Sequence, residues 1–237
     1  ENETSLSGKD YVFKELFSNS YSSSRLTSID NLVLPATTLA SNCYNSMFRE
    51  CTSLTTLPSN LLPATTLVDW CYNDMFVGCT SLTTIPNDLL PATTLAEGCY
   101  CSMFEDCTSL RTAPNLLATT LASRCYHHMF EGCTSLTSIP SGFLPATTLA
   151  QYCYANMFAG CTSLTTALDL PATRLRNYCY QNMFQGCTSL RTAPNLPVTT
   201  LESGCYRSMF AGCTSLTTAP NLPATTLAQS CYEGMFS

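Results

Sequence analysis

The sequence predicts an α/β solenoid with parallel, in-register short strands on one side and short helical turns on the other. Three observations predict it. One unit, T-T-L-x-x-x-C-Y-x-x-M-F-x-x-C-T-S-L-T-T-x-P, recurs eight times, the last time incompletely. Its Cys-Tyr pair returns at Cys43, Cys71, Cys99, Cys125, Cys153, Cys179, Cys205 and Cys231, at intervals of 28, 28, 26, 28, 26, 26 and 26 residues. A period in that range belongs to stacked coils sharing one core, not to a closed globule. Each unit also alternates two local patterns, one with helical spacing and one rich in β-branched residues. Finally, 45% of the residues are hydrophobic and only 11% charged, because the coil surfaces are written in Thr, Ser and Asn.

The elements follow in chain order. Residues 1–34 are expected to form a cap holding a degenerate repeat, since Leu26-Thr27-Ser28-Ile29 mimics Leu54-Thr55-Thr56-Leu57 while Ser23 stands where Cys51 would be. Tyr11, Phe13, Leu16 and Phe17 are the expected lid over the exposed end of the core. Residues 35–237 are the solenoid, about eight units of 26 or 28 residues with the last one incomplete. Within a unit, Cys71-Tyr72-Asn73-Asp74-Met75-Phe76-Val77-Gly78-Cys79 places apolar residues at i, i+1, i+4, i+5 and i+8, the spacing of one helix face. Ser41, Asp69, Ser123 and Ser203 stand where an N-cap is wanted. Gly78, Gly132, Gly160, Gly186 and Gly212 stand where a left-handed residue ends a helix. Glu50 and Asp106 replace that glycine, and the Glu50 copy is expected to end differently.

Ser81-Leu82-Thr83-Thr84-Ile85-Pro86 reads as a short strand stopped by proline. Pro91-Ala92-Thr93-Thr94-Leu95 reads as a second extended stretch. Leu82, Leu95, Met103 and Phe104 are expected to point inward. The longer linkers, Pro58–Pro63, Pro86–Pro91 and Pro140–Pro145, follow Leu57, Ile85 and Ile139, whereas the shorter ones follow Ala113, Ala167, Ala193 and Ala219. A shorter linker cuts closer to a densely packed core, and alanine leaves it room. Ala193→Ile is therefore expected to overpack.

Fifteen of the sixteen cysteines fall in two repeating rows, Cys43 and its equivalents and Cys51 and its equivalents. Eight residues of helix separate the rows by ~12 Å, and stacked helices lie roughly 8–10 Å apart. A disulfide needs Cα atoms within ~7 Å. No disulfide is predicted, and both rows read as buried apolar plugs. Cys101 replaces Asn45, Asn73, His127, Ala155, Gln181, Arg207 or Glu233, so its site is expected to be exposed, open either to neutral substitution or to an intermolecular disulfide.

The core M-F-x-x-C-T-S-L-T-T, as in Met157-Phe158-Ala159-Gly160-Cys161-Thr162-Ser163-Leu164-Thr165-Thr166, resembles the bacterial surface leucine-rich-repeat proteins of the BspA-like type. The similarity covers about residues 35–237. It departs from that family's commoner, shorter repeat in its Cys-Tyr pair. The resemblance implies a right-handed leucine-rich-repeat solenoid, a cell-surface or secreted location with a lipid or sorting anchor, and adhesion to host matrix or other microbes. The motif is scaffold, so it carries over no binding residue.

Little in the chain suggests chemistry. The only histidines, His127 and His128, are adjacent and lie at variable positions. A Cys/His pair with Cys125 is conceivable, but Cys125 belongs to a row present for packing. The C-x₇-C spacing does not match structural zinc, and no phosphate-binding glycine motif occurs. No enzyme, no cofactor and no metal site are expected. The net charge of −6 speaks against nucleic acid. No apolar run reaches the ~18 residues of a membrane span. The chain begins at Glu1 and stops mid-copy at Ser237, which reads as a processed or trimmed protein, or as an end open to end-to-end self-association.

Function is expected where the copies differ. The third residue after Thr-Thr-Leu reads Asn42, Trp70, Gly98, Arg124, Tyr152, Tyr178, Gly204, Ser230. Stacking makes these one column. Trp70, Arg124, Tyr152 and Tyr178 are the residue types enriched at binding hot spots, and their aromatic faces would suit sugars. They could also merely cover the N-termini of the expected helices. Arg174 and Arg176 break the Thr-Thr-Leu-Ala pattern beside the column, and Arg111 and Arg191 replace a strand threonine on the sheet side. The expected function is a non-enzymatic surface binding module for a host or microbial protein or glycan. The alternative is a stalk that holds another domain away from the cell. Ice binding through threonine rows is a third idea, disfavoured by unequal coil lengths and the interrupting Arg111 and Arg191.

Overall fold

A computed structural model describes residues 3–18 and 26–237. Ser23, the expected stand-in for Cys51, lies outside the described residues. The chain winds as stacked coils with like residues over like. Phe13, Tyr44, Tyr72, Tyr100, Tyr126, Tyr154, Tyr180, Tyr206 and Tyr232 form one internal ladder, with neighbouring ring centroids 5.4–6.0 Å apart and nearly parallel. Phe17, Phe48, Phe76, Phe104, Phe130, Phe158, Phe184, Phe210 and Phe236 form a second at 5.3–5.8 Å. These separations lie in the favourable range for aromatic pairs. Leu82, Leu95, Met103 and Phe104 are buried, as their spacing predicts.

The expected helices are absent among the described residues. The segment 40–51 and its equivalents are chains of linked four-residue turns. In one coil the amides of Cys71, Asn73, Val77 and Cys79 donate to the carbonyls of Val68, Trp70, Asp74 and Phe76, three residues back. The intervening amides of Trp70, Tyr72, Asp74, Phe76 and Gly78 donate to Glu97, Cys99, Cys101, Met103 and Glu105 of the next coil. A helix is ruled out because every fourth residue, such as Trp70, Asp74 and Gly78, has φ between +56° and +70°. That dihedral at the third position of a turn is the signature of type II turns. The spiral repeats every four residues, two in and two out, so it produces the same apolar spacing that a short helix does. Glu50 adopts φ +59°, so its copy ends as the glycine copies do, contrary to expectation. Asp69 does not cap its own coil. Its Oδ1 accepts from the Glu97 amide of the next coil at 3.0 Å.

The strands are also shorter than expected. Among the described residues only isolated parallel bridges form, including Thr66↔Thr94↔Thr120, Thr148↔Arg174, Thr166↔Thr192 and Thr200↔Thr226. Both members of each Thr-Thr pair are exposed, which a regular strand, alternating its faces, would not allow. The bridges join equivalent residues across 28- and 26-residue coils alike, because the linkers absorb the difference. Unequal coil length therefore does not spoil the threonine spacing, contrary to expectation, although Arg111, Arg174 and Arg191 still interrupt the rows.

All sixteen cysteines are free and buried. In the second row each thiol reaches a phenylalanine carbonyl of the previous coil. Cys79 Sγ, for example, donates to the Phe48 carbonyl at 3.2 Å, as its equivalents do at 3.0–3.3 Å. The Phe48 carbonyl also accepts the Cys51 amide, so both of its lone pairs are used. A small, weakly donating apolar side chain suits that position. Cys101 is buried at 8% exposure, correcting the expectation of an exposed site. The coils on either side cover it, so its thiol is not presented for an intermolecular disulfide.

Residues 5–17 are themselves a coil. The amides of Tyr11, Phe13, Glu15 and Phe17 donate to Ser41, Cys43, Asn45 and Met47, the same pairing as elsewhere, and Tyr11 and Glu15 have positive φ. Phe13 and Phe17 begin the two ring ladders. Tyr11 and Leu16 are more than half exposed, although Leu16 lines a hollow with Phe13, Phe17, Tyr44 and Met47.

Candidate functional site

The variable column runs along the edge of the turn spirals. Its members occupy the positive-φ corner of the first turn, with Trp70 at +58°, Arg124 at +55°, Tyr152 at +54° and Tyr178 at +58°. Asn or Gly is at ease there, as at Asn42, Gly98 and Gly204. A large side chain costs about 1–2 kcal/mol in the left-handed region. The frame does not ask for these four residues, so they stand there against local preference.

Their side chains lean one coil toward the C-terminus. The Tyr152 and Tyr178 rings stack at 4.9 Å and 6°. The Arg124 guanidinium lies over the outer face of Tyr152, 5.2 Å from its centroid, within cation–π range, and pairs with Glu97 at 3.3 Å. His127 meets the Tyr152 ring edge-on at 6.2 Å. Tyr178 ends the ladder on Gly204, where a Cβ would lie 2.3 Å from its ring. Trp70 is seated the same way on Gly98, also at 2.3 Å. The column is thus two pieces, Trp70 on Gly98 and Arg124–Tyr152–Tyr178 on Gly204.

This packing corrects one expectation. Both faces of Tyr152 and both faces of Tyr178 are occupied, so the pair offers ring edges and hydroxyls but no open face for a sugar. Arg174 and Arg176, both exposed, line a shallow hollow of about 150 Å³ with Thr173, Leu175, Thr200 and Glu202. Arg111 and Arg191 are exposed on the other row, their amides donating to Thr83 and Thr165, and they do not join the column. Glu97, His127, Gly98 and Gly204 escaped the sequence reading as parts of the site. The signal was available: a glycine one coil beyond a large aromatic, twice in one column.

The catalytic constellation considered from sequence does not assemble. Cys125 is fully buried, and burial pushes its thiol up to about 12. It is Cys101 whose sulfur approaches His127 Nδ1, at 3.9 Å. Burial raises that thiol to about 12 and lowers the imidazole to about 3, so both groups are held neutral. A nucleophilic cysteine needs the opposite shift. His128 contacts Glu131. Among the described residues no three His, Cys, Asp or Glu side chains gather in a way that would hold a metal ion, and no helix is long and apolar enough to cross a membrane.

Residues 100–236 match, in six copies, a family model described as BspA type leucine rich repeat region. Among solved structures, a leucine-rich repeat protein from Bacteroides ovatus ATCC 8483 is 19% identical, with a TM-score of 0.37 over 68% of this chain. The chain spans 37% of that protein's length. No curated protein matches.

Proposed function

The chain belongs to the BspA-type leucine-rich-repeat family, and from that premise we propose that it is a non-enzymatic, cell-surface or secreted binding module whose partner is a host or microbial protein. The observation that carries this reading is the Arg124–Tyr152–Tyr178 ladder. Three large residues in adjoining coils hold a strained corner that is Asn42, Gly98, Gly204 or Ser230 in other coils, and Trp70 and Tyr11 in two more. Stacking fixes their rotamers before any partner arrives, which lowers the ordering cost of association. The exposed edges and hydroxyls suit a polar protein surface better than a sugar ring, because the ring faces are taken. Solenoids offer long surfaces for such contacts.

The test is the pair Tyr152→Ala and Tyr178→Ala, assayed against immobilised host-matrix proteins and a glycan array. Loss of roughly tenfold or more in protein binding is expected, as for hot-spot truncations. Unchanged protein binding would remove the ladder from the site. It would leave the stalk reading, in which the ladder serves only to stiffen the coil stack.

A further inference from the structure

The described arginines divide into two groups. Arg49, Arg124 and Arg207 each pair with a carboxylate. Among the described residues, Arg111, Arg174, Arg176 and Arg191 form no ion pair. In a chain of net charge −6, four of the seven described arginines thus stand without a carboxylate. Two of the four stand together. Arg174 and Arg176 flank Leu175, which is buried at 3% exposure. Arg174 and Arg176 are both exposed, where the coil bridges Thr148 through Arg174. The same positions one coil earlier are Thr148 and Ala150, both neutral. One coil later they are Thr200 and Glu202, and Glu202 is the single carboxylate lining the hollow. Arg176 Nη1 donates to the Leu175 carbonyl at 3.3 Å. Tyr178 follows two residues on, at the foot of the tyrosine ladder.

We infer that Arg174 and Arg176 are a docking point for an acidic segment of a protein partner. This rests on the reading of the adjoining ladder as a protein-binding surface and names the chemistry of what binds beside it. Guanidinium groups match a carboxylate through paired N–H donors. The hollow of about 150 Å³ is of a size for one side-chain carboxylate, with the Thr173 and Thr200 hydroxyls beside it. A sulfated glycan would satisfy the charge, but it would find no open ring face next door on which to lay a sugar.

The experiment measures binding of a fluorescent decaglutamate peptide to the whole chain by anisotropy at low and high salt. Arg174→Thr with Arg176→Ala restores the residues of the preceding coil, so the frame is kept. A melt confirms this, and Arg174→Gln with Arg176→Gln serves if it does not. Affinity is expected to fall about tenfold, the factor that two exposed ion pairs supply, and to lose most of its salt dependence. Arg111→Thr with Arg191→Thr is expected to leave it within about twofold. Equal loss in both double variants, or no loss in the first, overturns the inference. So does a heparin oligosaccharide that binds and is lost with Arg174 and Arg176 while decaglutamate does not bind. Tyr152→Ala with Tyr178→Ala separates the two proposals. If decaglutamate binding survives there while the matrix-protein assay shows no effect, the ladder reading fails and the arginine site stands.

Discussion

A single column shows how far residue-level reasoning reaches. Register alone places Trp70, Arg124, Tyr152 and Tyr178 in one line, so their alignment was legible from the repeat. Their lean onto the next coil was not, because it depends on the positive φ and on the missing Cβ at Gly98 and Gly204. Gly204→Ala is expected to cost about 1–2 kcal/mol, since the new methyl meets the Tyr178 ring at a positive φ. In a Tyr178→Ala background the cost should shrink, and a double-mutant thermal-melt cycle measures the difference. Additive costs would mean that the ring does not rest on the glycine. A second prediction concerns the internal ladder. The hydroxyls of Tyr100 and Tyr154 are buried without a hydrogen-bond partner. Removing an unsatisfied buried polar group relieves its desolvation penalty. Tyr100→Phe and Tyr154→Phe are therefore expected to leave the melting temperature unchanged or raised, whereas a clear fall would reveal a partner for the hydroxyl.

At the scale of the element, the lesson is an ambiguity of period. Apolar residues at i, i+1, i+4, i+5 and i+8 satisfy a short helix and a spiral of four-residue turns equally. What distinguishes them is the polar residue between. Ser46, Asp74, Ser102, His128, Asn156, Asn182, Ser208 and Gly234 recur every coil at one corner, and all have φ between +50° and +61°. Asn, Asp, His and Gly are enriched at positive φ, a signal that hydrophobic spacing alone does not register. The strands failed for a related reason: β-branched composition matched a strand, but both threonines of each pair face solvent, so only single bridges close. The linker rule was legible in part: of the alanines before the short linkers Ala113 is buried, Ala167 and Ala193 are half-buried and Ala219 is exposed. The long linkers carry two buried apolar residues, Leu61 and Leu62, Leu89 and Leu90, Phe143 and Leu144; the short one at Leu116 carries one while Leu117 is exposed, and the short one after Ala167 carries Leu168 and Leu170. Ala113, at 4% exposure, is buried under a short linker, whereas Ala193 is half-buried. Ala113→Ile is expected to destabilise by ~1–3 kcal/mol through overpacking, and Ala193→Ile by less. Thermal melts of the two variants rank them, and the reverse order would contradict the packing account.

The whole molecule is held by interfaces between like coils, and its pH response follows from what they bury. Thiols and phenols fill the core, and burial raises them: Cys43, Cys51 and Cys213 to about 11, Cys101, Cys125 and Cys205 to about 12, Tyr72 and Tyr126 well above their usual range. Below about pH 8.5 thiols are protonated in both folded and unfolded chains, and they impose no pH dependence. Above it the unfolded chain releases protons that the folded one keeps, so stability falls by ~1.4 kcal/mol per thiol per pH unit. With fifteen thiols so raised this outruns a total stability of ~5–15 kcal/mol. The chain is expected to unfold between roughly pH 9 and 10 under reductant, followed by circular dichroism, and a solenoid intact at pH 11 would contradict this burial. The most direct measurement is on the backbone pairing beneath every column. Scalar coupling across the hydrogen bond of the Tyr72 amide identifies its acceptor by NMR. The account predicts the carbonyl of Cys99, 27 residues ahead in the next coil; a coupling to Val68, four residues back as in a helix, would contradict it.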